Sequence, residues 1–440
     1  MPQGVLNFSV EATNELLTSN AGTILFGEYL KAIKINKLCD RYLPLPQSNR
    51  GYMPFEHIQP LLLMLHSGGR FLEDLRMIHN DKALKETLKI KQMPITESTG
   101  KWMTRHGLQG IYGIESINRT LLKRHLKKVS EPLVLDIDAS VIFSQKSTAV
   151  TTYKMQSGYT PMTGHINGGF MIHSEFRSGN IAPADNNLTF LKRCQEQLPK
   201  DKKLSFFRAD SASYQTELFN YCNKRHIIYT IGAHLDRSVY ANIQEIKMWK
   251  TFQTKEGTAH HLKEEIAEFI HTMQDTDHAF RIIVVKKRVT PMLPEIWDML
   301  SAEAKLELEK EHYQVIATNA DENFPAEDIV RFYRKRGDTS ENRIKEFKNG
   351  FNLSYLPSSN FISNAFYFQI GALAYNLFIL FKHTLQNSWQ KHTVATIRYK
   401  LYRLAGKVIK HSRQIILKVQ EEFVEIFHAI RKRIYKASLE

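Results

Sequence analysis

Apolar side chains recur at spacings of three and four over the first 130 residues, which predicts helices there. The predicted helices cover residues 8–42, 54–66 and 71–79. Residues 94–99 then offer capping side chains for a further helix that carries Lys101 and Arg105. Short helices separated by the Gly68-Gly69 break fit a DNA-binding helix-turn-helix and ordinary helical packing equally well.

The pattern changes at residue 131, where short apolar runs begin to alternate with helical stretches. The apolar runs predict strands over residues 132–143, 170–176, 204–210 and 227–231. Helices are predicted between them, over residues 186–197 and 214–225. Strands that alternate with helices predict a mixed α/β sheet.

Residues 233–320 interrupt this alternation, and we interpret them as an inserted β-rich subdomain. Strands are predicted over residues 280–285 and 313–318, and a helix over residues 262–273. His260 and His261 are adjacent and could not both bind a metal from one helix face, so we place them in a loop.

The chain becomes helical again after Pro325. Residues 361–383 are very apolar but contain asparagine and glutamine, so we predict a helix buried against the sheet rather than a membrane span. Residues 395–436 are predicted to form basic helices. The predicted organisation is a helical DNA-binding region (1–130), a core in two parts (131–232 and 321–390), the insertion (233–320) and a basic helical tail (391–440).

Positive charge is concentrated at the two ends of the chain. The formal net charge of +15 divides into +7 for residues 1–130 and +8 for residues 391–440, which leaves the residues between them neutral. Basic arms that replace counterions on a phosphate backbone bind DNA without regard to sequence, so a nucleic-acid partner is favoured over an anionic membrane surface. An N-terminus without a signal-peptide pattern and three cysteines that fit neither disulfides nor a zinc site predict a cytoplasmic protein.

Two aspartates stand at the ends of predicted strands. Asp138 ends the first apolar run and Asp210 ends the third, where functional side chains of α/β sheets gather. Asp136 points to the same face as Asp138, because strand side chains alternate. We favour Asp138 because it lies nearer the end of the strand, although a single acid at a strand end often has only a structural role.

A third acid lies in residues 331–350. Asp338, Thr339 or Ser340 can cap a helix that begins near Glu341. Glu341 and Lys348 are seven residues apart, so an α-helix places them about 20° from one line, two turns apart. An exposed helix with ion pairs between neighbouring turns is the structural alternative.

Three carboxylates in a basic protein suit phosphodiester chemistry. Two Mg²⁺ ions neutralise the anionic substrate, and Mg²⁺ prefers hard oxygen ligands while it keeps several waters. Three acids therefore suffice for two ions, and Mn²⁺ can substitute.

These segments resemble the bacterial insertion-sequence transposases of the DDE class. Residues 135–140 resemble the strand that carries the first aspartate of that class, and residues 207–214 resemble the strand that carries the second. The stretch from Tyr333 to Lys348 resembles the Y-x2-R-x3-E-x6-K signature of the YREK branch. Within that branch the sequence is most similar to the insertion-sequence family thirteen-eighty. The resemblance covers residues 131–380 well and the termini loosely.

The resemblance implies an RNase H-like core with an insertion before the third acid. It implies that Asp138, Asp210 and Glu341 bind the metal ions and catalyse cleavage and strand transfer. It also implies that Tyr333, Arg336 and Lys348 contact DNA phosphates and that a homodimer brings the element ends together. Four residues rather than three separate Arg336 from Glu341, so the role of Arg336 is open.

Two alternatives belong to other classes. A domesticated DNA-binding protein would keep the fold and the basic ends without cutting DNA. A glycoside hydrolase would use two acids without metal, but it would need aromatic sugar platforms, and the chain has only four tryptophans.

Overall fold

The computed structural model describes residues 6, 8–127, 129, 132–252, 264–287, 312–337, 341–412 and 414–439. The chain divides into two units, one formed by Met1–Ile117 with Glu346–Glu440 and the other by Asn118–Lys345. The predicted caps Asp338, Thr339 and Ser340 and the pair His260-His261 lie outside the described residues.

The described helices follow one another along the chain with short 3₁₀ and π segments between some of them. They are α1 (Ala21–Ala32), α2 (Ile35–Tyr42), α3 (Pro54–Ser67), α4 (Leu75–Asn80), α5 (Lys82–Thr87), α6 (Thr96–Leu126), α7 (Asn187–Gln197), α8 (Thr216–Arg225), α9 (Arg237–Gln244), α10 (Ala326–Arg336), α11 (Asn342–Lys345), α12 (Phe361–Lys382), α13 (Val394–Ile397) and α14 (Glu421–Leu439). The 3₁₀ helices are Leu72–Asp74, Asn167–Gly169, Ser211–Ser213 and Asn387–Trp389, and the π-helical turns are Glu346–Gly350 and Arg398–Tyr402.

The described strands form three sheets. They are β1 (Leu16–Thr18), β2 (Leu133–Ala139), β3 (Ile142–Phe143), β4 (Val150–Thr151), β5 (Ser157–Tyr159), β6 (Met162–Ile166), β7 (Met171–Glu175), β8 (Leu204–Ala209), β9 (Ile228–Gly232), β10 (Lys250–Phe252), β11 (Glu264–His271), β12 (Phe280–Lys287), β13 (His312–Thr318), β14 (Gly406–His411) and β15 (Gln414–Lys418). The sheet orders are β1-β14-β15, β10-β11-β12-β13-β9-β8-β2-β6-β7 and β3-β5-β4.

The first unit is mainly helical, and α3 and α12 form much of its core. The apolar run Leu61–Leu65 of α3 is buried, and α3 packs against α12. Among the described helices, α12 alone is long and apolar enough to cross a membrane, yet its apolar window is wholly buried inside the protein. The predicted burial of this helix is therefore confirmed, but the helix packs on α3 of the first unit, whereas the prediction placed it against the sheet.

Two predictions in the first unit are wrong because long-range strand pairing overrides local helical spacing. Residues 16–18, inside the predicted helix 8–42, form β1 and pair with β14. Residues 406–418, inside the predicted basic helices, contain the antiparallel pair β14 and β15. Buried and half-buried positions alternate along Gly406–Ile409 of β14, and exposed and half-buried positions alternate along β15, which is the two-residue period of a strand.

The second unit is built on the nine-stranded sheet. β2, β8 and β9 run parallel to one another, whereas β6 and β7 continue antiparallel on the other side of β2. The helices α7 and α8 connect strands of this sheet, as predicted. A mixed α/β unit with a large mixed sheet is confirmed, and it is consistent with the RNase H-like fold that the resemblance implies.

The strands of the predicted insertion extend this same sheet. β10 to β13 pair antiparallel in succession, and β13 pairs with β9. The predicted helix over residues 262–273 is wrong over its described part, because residues 264–271 form β11. Eight consecutive pairings with β12 outweigh a short helical spacing of apolar residues.

Candidate active site

The parallel pairing of β2 with β8 places two predicted site residues side by side. Asp136 lies opposite Arg208 in the register, and the same offset of 72 residues separates Asp138 from Asp210 at the ends of the strands. Beyond β8, Asp210 caps a 3₁₀ turn, where its Oδ1 accepts a hydrogen bond from the Ala212 amide at 3.2 Å. The two aspartates thus lie at the carboxyl ends of neighbouring central strands.

Glu341 reaches the same electrostatic cluster from the segment between α10 and α11. Burial raises the pKa of Asp138 to about 6; the Arg336 guanidinium opposes this rise, whereas the negative charges of Asp210 and Glu341 add to it. The Glu341 side chain is exposed, whereas 18% of the Asp138 side chain is exposed. The structure therefore places Asp210 and Glu341 close enough to Asp138 for their charges to raise its pKa.

Arg336 and Tyr333 of α10 also face this cluster. The Arg336 Nη2 lies 3.1 Å from the Asp138 Oδ2 and donates a long hydrogen bond to the Ile137 carbonyl. Burial raises the pKa of the Tyr333 hydroxyl, Arg336 lowers it, and the acids Asp210, Asp138 and Glu341 raise it further. Arg336 thus reaches Asp138 although one extra residue separates it from Glu341.

Gly232, at the end of β9, is a residue of the site that the sequence analysis missed. A Cβ atom built there would lie 2.7 Å from the Tyr333 hydroxyl and 3.1 Å from the Ser211 amide nitrogen. The close approach of Tyr333 therefore requires glycine at this position. Its place at the end of a predicted strand was the available signal.

Asp136 is committed to other partners. Its side chain is 1% exposed, and both carboxylate oxygens accept hydrogen bonds from Arg208, at 2.7 and 2.8 Å. This pairing leaves Asp138 as the carboxylate of β2 that faces Asp210 and Glu341, which was the choice made from the sequence.

The donor set fits Mg²⁺ in chemistry. Carboxylate oxygens are hard ligands, and a divalent cation would relieve the repulsion that Asp210 and the exposed Glu341 exert on the partly buried Asp138. In this structure Arg336 supplies the positive charge at Asp138. Over the described parts of the chain, no group of three or more His, Cys, Asp or Glu side chains is arranged so that it could hold a metal ion.

Lys348 belongs to the first unit and lies in the π-helical turn Glu346–Gly350. The turn is held at both ends: the Val394 amide donates to the Glu346 Oε1 at 2.6 Å, and Arg398 donates to the Gly350 carbonyl at 2.5 Å. The predicted alignment of Glu341 with Lys348 assumed α-helical spacing throughout. That assumption is wrong, because the π-helical turn is wider than an α-helical one.

Lys101 and Arg105, the other predicted DNA-binding residues, are exposed on α6 in the first unit. They line two neighbouring clefts of about 440 and 400 Å³, and Arg50 and Tyr52 contribute to the second of these. Their exposure leaves both charges accessible to a phosphate backbone.

A mixed sheet with acids at the ends of neighbouring parallel strands, joined by a distant glutamate, is the arrangement expected of a DDE transposase. The family model described as transposase DDE domain group 1 matches residues 5–439, and the chain belongs to this family. No curated protein matches the sequence. The family match confirms the predicted DDE transposase class, whereas the YREK branch and the insertion-sequence family stay predictions.

Proposed function

We propose that the protein cuts DNA at the ends of its own mobile element and joins the freed ends to target DNA. Asp138, Asp210 and Glu341 would hold two divalent ions, Mg²⁺ or Mn²⁺. The observation that supports this most directly is the electrostatic cluster of these three carboxylates, which come from segments 72 and 131 residues apart in a chain of this family.

The reaction consists of two displacements at phosphorus. Water attacks a phosphodiester at the element end and releases a 3′-hydroxyl. This hydroxyl then attacks a phosphodiester of the target DNA, and the 3′-oxygen of the cut target strand leaves the phosphorus as a hydroxyl. When bound, the divalent ions supply charge neutralisation of the phosphodiester and stabilisation of the leaving oxygen.

The side chains around the acids orient the DNA. Arg336 and Tyr333 lie beside Asp138, so a guanidinium and a hydroxyl are available to bind a phosphate next to the scissile bond. Lys348, Lys101 and Arg105 contribute further phosphate contacts from the first unit. Two copies of the chain would bring both element ends together, as the family implies.

The direct test is cleavage of a duplex that carries the inverted repeats flanking the gene. We expect nicking at the repeat boundary in Mg²⁺ or Mn²⁺, and no nicking of the same duplex in excess chelator. A duplex with a scrambled repeat is the control for sequence specificity. A protein that binds the repeat but cuts it in neither metal is instead the non-catalytic DNA-binding protein, and the proposed enzyme is rejected.

The basic C-terminal segment is expected to set part of the salt dependence of DNA binding. Its core residues Val394, Ile397 and Leu401 are fully buried, so deletion would damage the fold, whereas Lys432 and Lys436 of α14 are exposed. Replacing both lysines by glutamine should make the negative slope of log Kobs against log salt shallower by about 2, because each phosphate contact contributes about −0.9 to it.

Fluorescence anisotropy with a random duplex measures this slope. The matched control replaces Lys200 and Lys203, two exposed lysines of the neutral central segment, by glutamine. An unchanged slope in the Lys432 and Lys436 variant would remove α14 from the DNA interface.

A further inference from the structure

Asp136 lies at the centre of a buried ionic cluster. Arg208 holds its carboxylate with two parallel hydrogen bonds, from Nε to Oδ1 and from Nη2 to Oδ2. The Arg343 Nη1 lies 3.5 Å from Oδ2 of the same carboxylate. The remaining Nη1 of Arg208 donates to the Phe332 carbonyl of α10 at 2.6 Å. The Asp136 carboxylate thus joins β2 to β8 and α11, and Arg208 extends the cluster to α10.

Every member of this ionic cluster is a near neighbour in sequence of a proposed site residue. Asp136 precedes Asp138 by two residues on β2, and Arg208 precedes Asp210 by two residues at the end of β8. The other two members follow the same rule: Arg343 lies two residues after Glu341, and Phe332 immediately precedes Tyr333.

The geometry of the cluster constrains its neighbours strongly. A guanidinium that binds both oxygens of a carboxylate holds the two groups in one plane at a fixed distance, and so constrains the two strands that carry them. Side chains two residues apart on a strand share a face, so fixing Asp136 against Arg208 also fixes Asp138 against Asp210. A buried carboxylate that loses its charged partner destabilises the fold, so the contacts between Asp136 and the arginines stay formed in the folded protein.

We propose that Asp136, Arg208 and Arg343 are positioning residues that set the relative placement of β2, β8 and α11, and with it the distances between the three carboxylates of the active site. The inference rests on the proposed function, because it assumes that these carboxylates bind divalent cations. None of the three positioning residues is itself assigned a contact with metal or DNA.

A second buried ion pair in the same unit provides a matched comparison. Arg334 of α10 binds both oxygens of Glu264 on β11, at 2.7 and 2.9 Å, and both side chains are largely buried. β11 carries none of the proposed site residues, and α10, which carries Arg334 beside Tyr333, holds none of the three acids. Removing this pair should therefore weaken the fold without moving the acids relative to one another.

The experiment compares Arg343→Gln with the control Arg334→Gln on metal-free full-length protein. Mn²⁺ affinity is measured by electron paramagnetic resonance, and thermal unfolding reports the fold. We expect Arg343→Gln to bind Mn²⁺ at least tenfold more weakly than the wild type, and Arg334→Gln to bind it within twofold. Loss of a positive charge alone would strengthen cation binding, so weaker binding is the signature of misplaced ligands.

Asp210→Ala, measured in parallel, separates this inference from the proposed function. Unchanged Mn²⁺ binding in Asp210→Ala would reject the proposed metal site itself. Lost binding in Asp210→Ala together with wild-type binding in Arg343→Gln would overturn the positioning role alone. If Arg343→Gln does not fold, Arg343→Lys replaces it: affinity at least threefold below the wild type supports the inference, and wild-type affinity overturns it.

Discussion

Replacing Asp210 by alanine is expected to lower the rate of cleavage at the element end by about 10³-fold or more. Asp210 and Asp138 lie at the carboxyl ends of the neighbouring strands β8 and β2, and the loss of Asp210 removes a proposed ligand of the divalent ions. Metal ions contribute several kcal/mol to phosphodiester cleavage, and each 1.36 kcal/mol corresponds to about a factor of ten in rate. Affinity for the same duplex in a chelator should stay within about twofold, because the basic side chains are untouched.

The matched control for this variant is Asp236→Ala. Asp236 follows β9 as Asp210 follows β8, and its Oδ1 caps α9 by accepting hydrogen bonds from two backbone amides at 2.9 Å. Its loss should cost about 1 kcal/mol of stability, as for other helix caps, and leave the cleavage rate near that of the wild type. Single-turnover cleavage assays measure both variants. Normal cleavage by Asp210→Ala would exclude the proposed triad.

The strands that carry the two aspartates were predictable because central parallel strands are buried on both faces. Such strands have nearly continuous apolar runs, and a carboxylate that ends such a run stands out. This is the case for Leu133–Ala139 and for Leu204–Ala209. The antiparallel strand β11 carries alternating polar residues that also fit a helix, and only its pairing with β12 decides between strand and helix.

The positioning role of Asp136 depends on register, which a single sequence does not contain. Asp136 meets Arg208 only because β2 and β8 are parallel neighbours with an offset of 72 residues. The sequence could narrow the first metal ligand to Asp136 or Asp138. The structure then separates their roles, because the buried Arg208 binds both oxygens of Asp136 and leaves Asp138 as the candidate ligand. The π-helical turn Glu346–Gly350 was likewise hidden, since its hydrogen bonds span five residues instead of the four of an α-helix, and no residue pattern in the sequence marks this change.

The recruitment of the C-terminal segment into the first unit was also beyond prediction. Its charge suggested a peripheral basic tail, but β14 pairs with β1 and α14 packs on α1. Contacts between residues some 400 positions apart arise from tertiary packing, and local patterns carry no trace of them. Charge and core therefore coexist in one segment, with lysines on the outside of α14 and Ile430 and Ile434 buried beneath them.

Replacing Asp138 by asparagine is expected to stabilise the metal-free protein while it abolishes cleavage. The pKa of the Asp138 carboxyl rises from 3.8 to about 6 in the folded protein, chiefly because the group is buried. The folded state thus holds a proton that the unfolded state releases between these values, so ionisation of Asp138 destabilises the fold as the pH rises through this range. Above pH 6 the cost reaches up to about 3 kcal/mol, and an asparagine, which can still accept from Arg336, does not incur it.

Thermal unfolding in chelator between pH 4.5 and pH 8 measures this effect. The variant should unfold at a higher temperature than the wild type at pH 8, and the difference should shrink towards pH 4.5, where the folded wild type holds Asp138 protonated. Asp201→Asn, a change at an exposed aspartate, should show no such trend. Added Mg²⁺ should raise the unfolding temperature of the wild type and leave that of Asp138→Asn unchanged, because a ligand stabilises only the state that binds it. A variant less stable than the wild type at pH 8 would mean that Arg336 already compensates the Asp138 charge, and the acids would then need no metal to coexist.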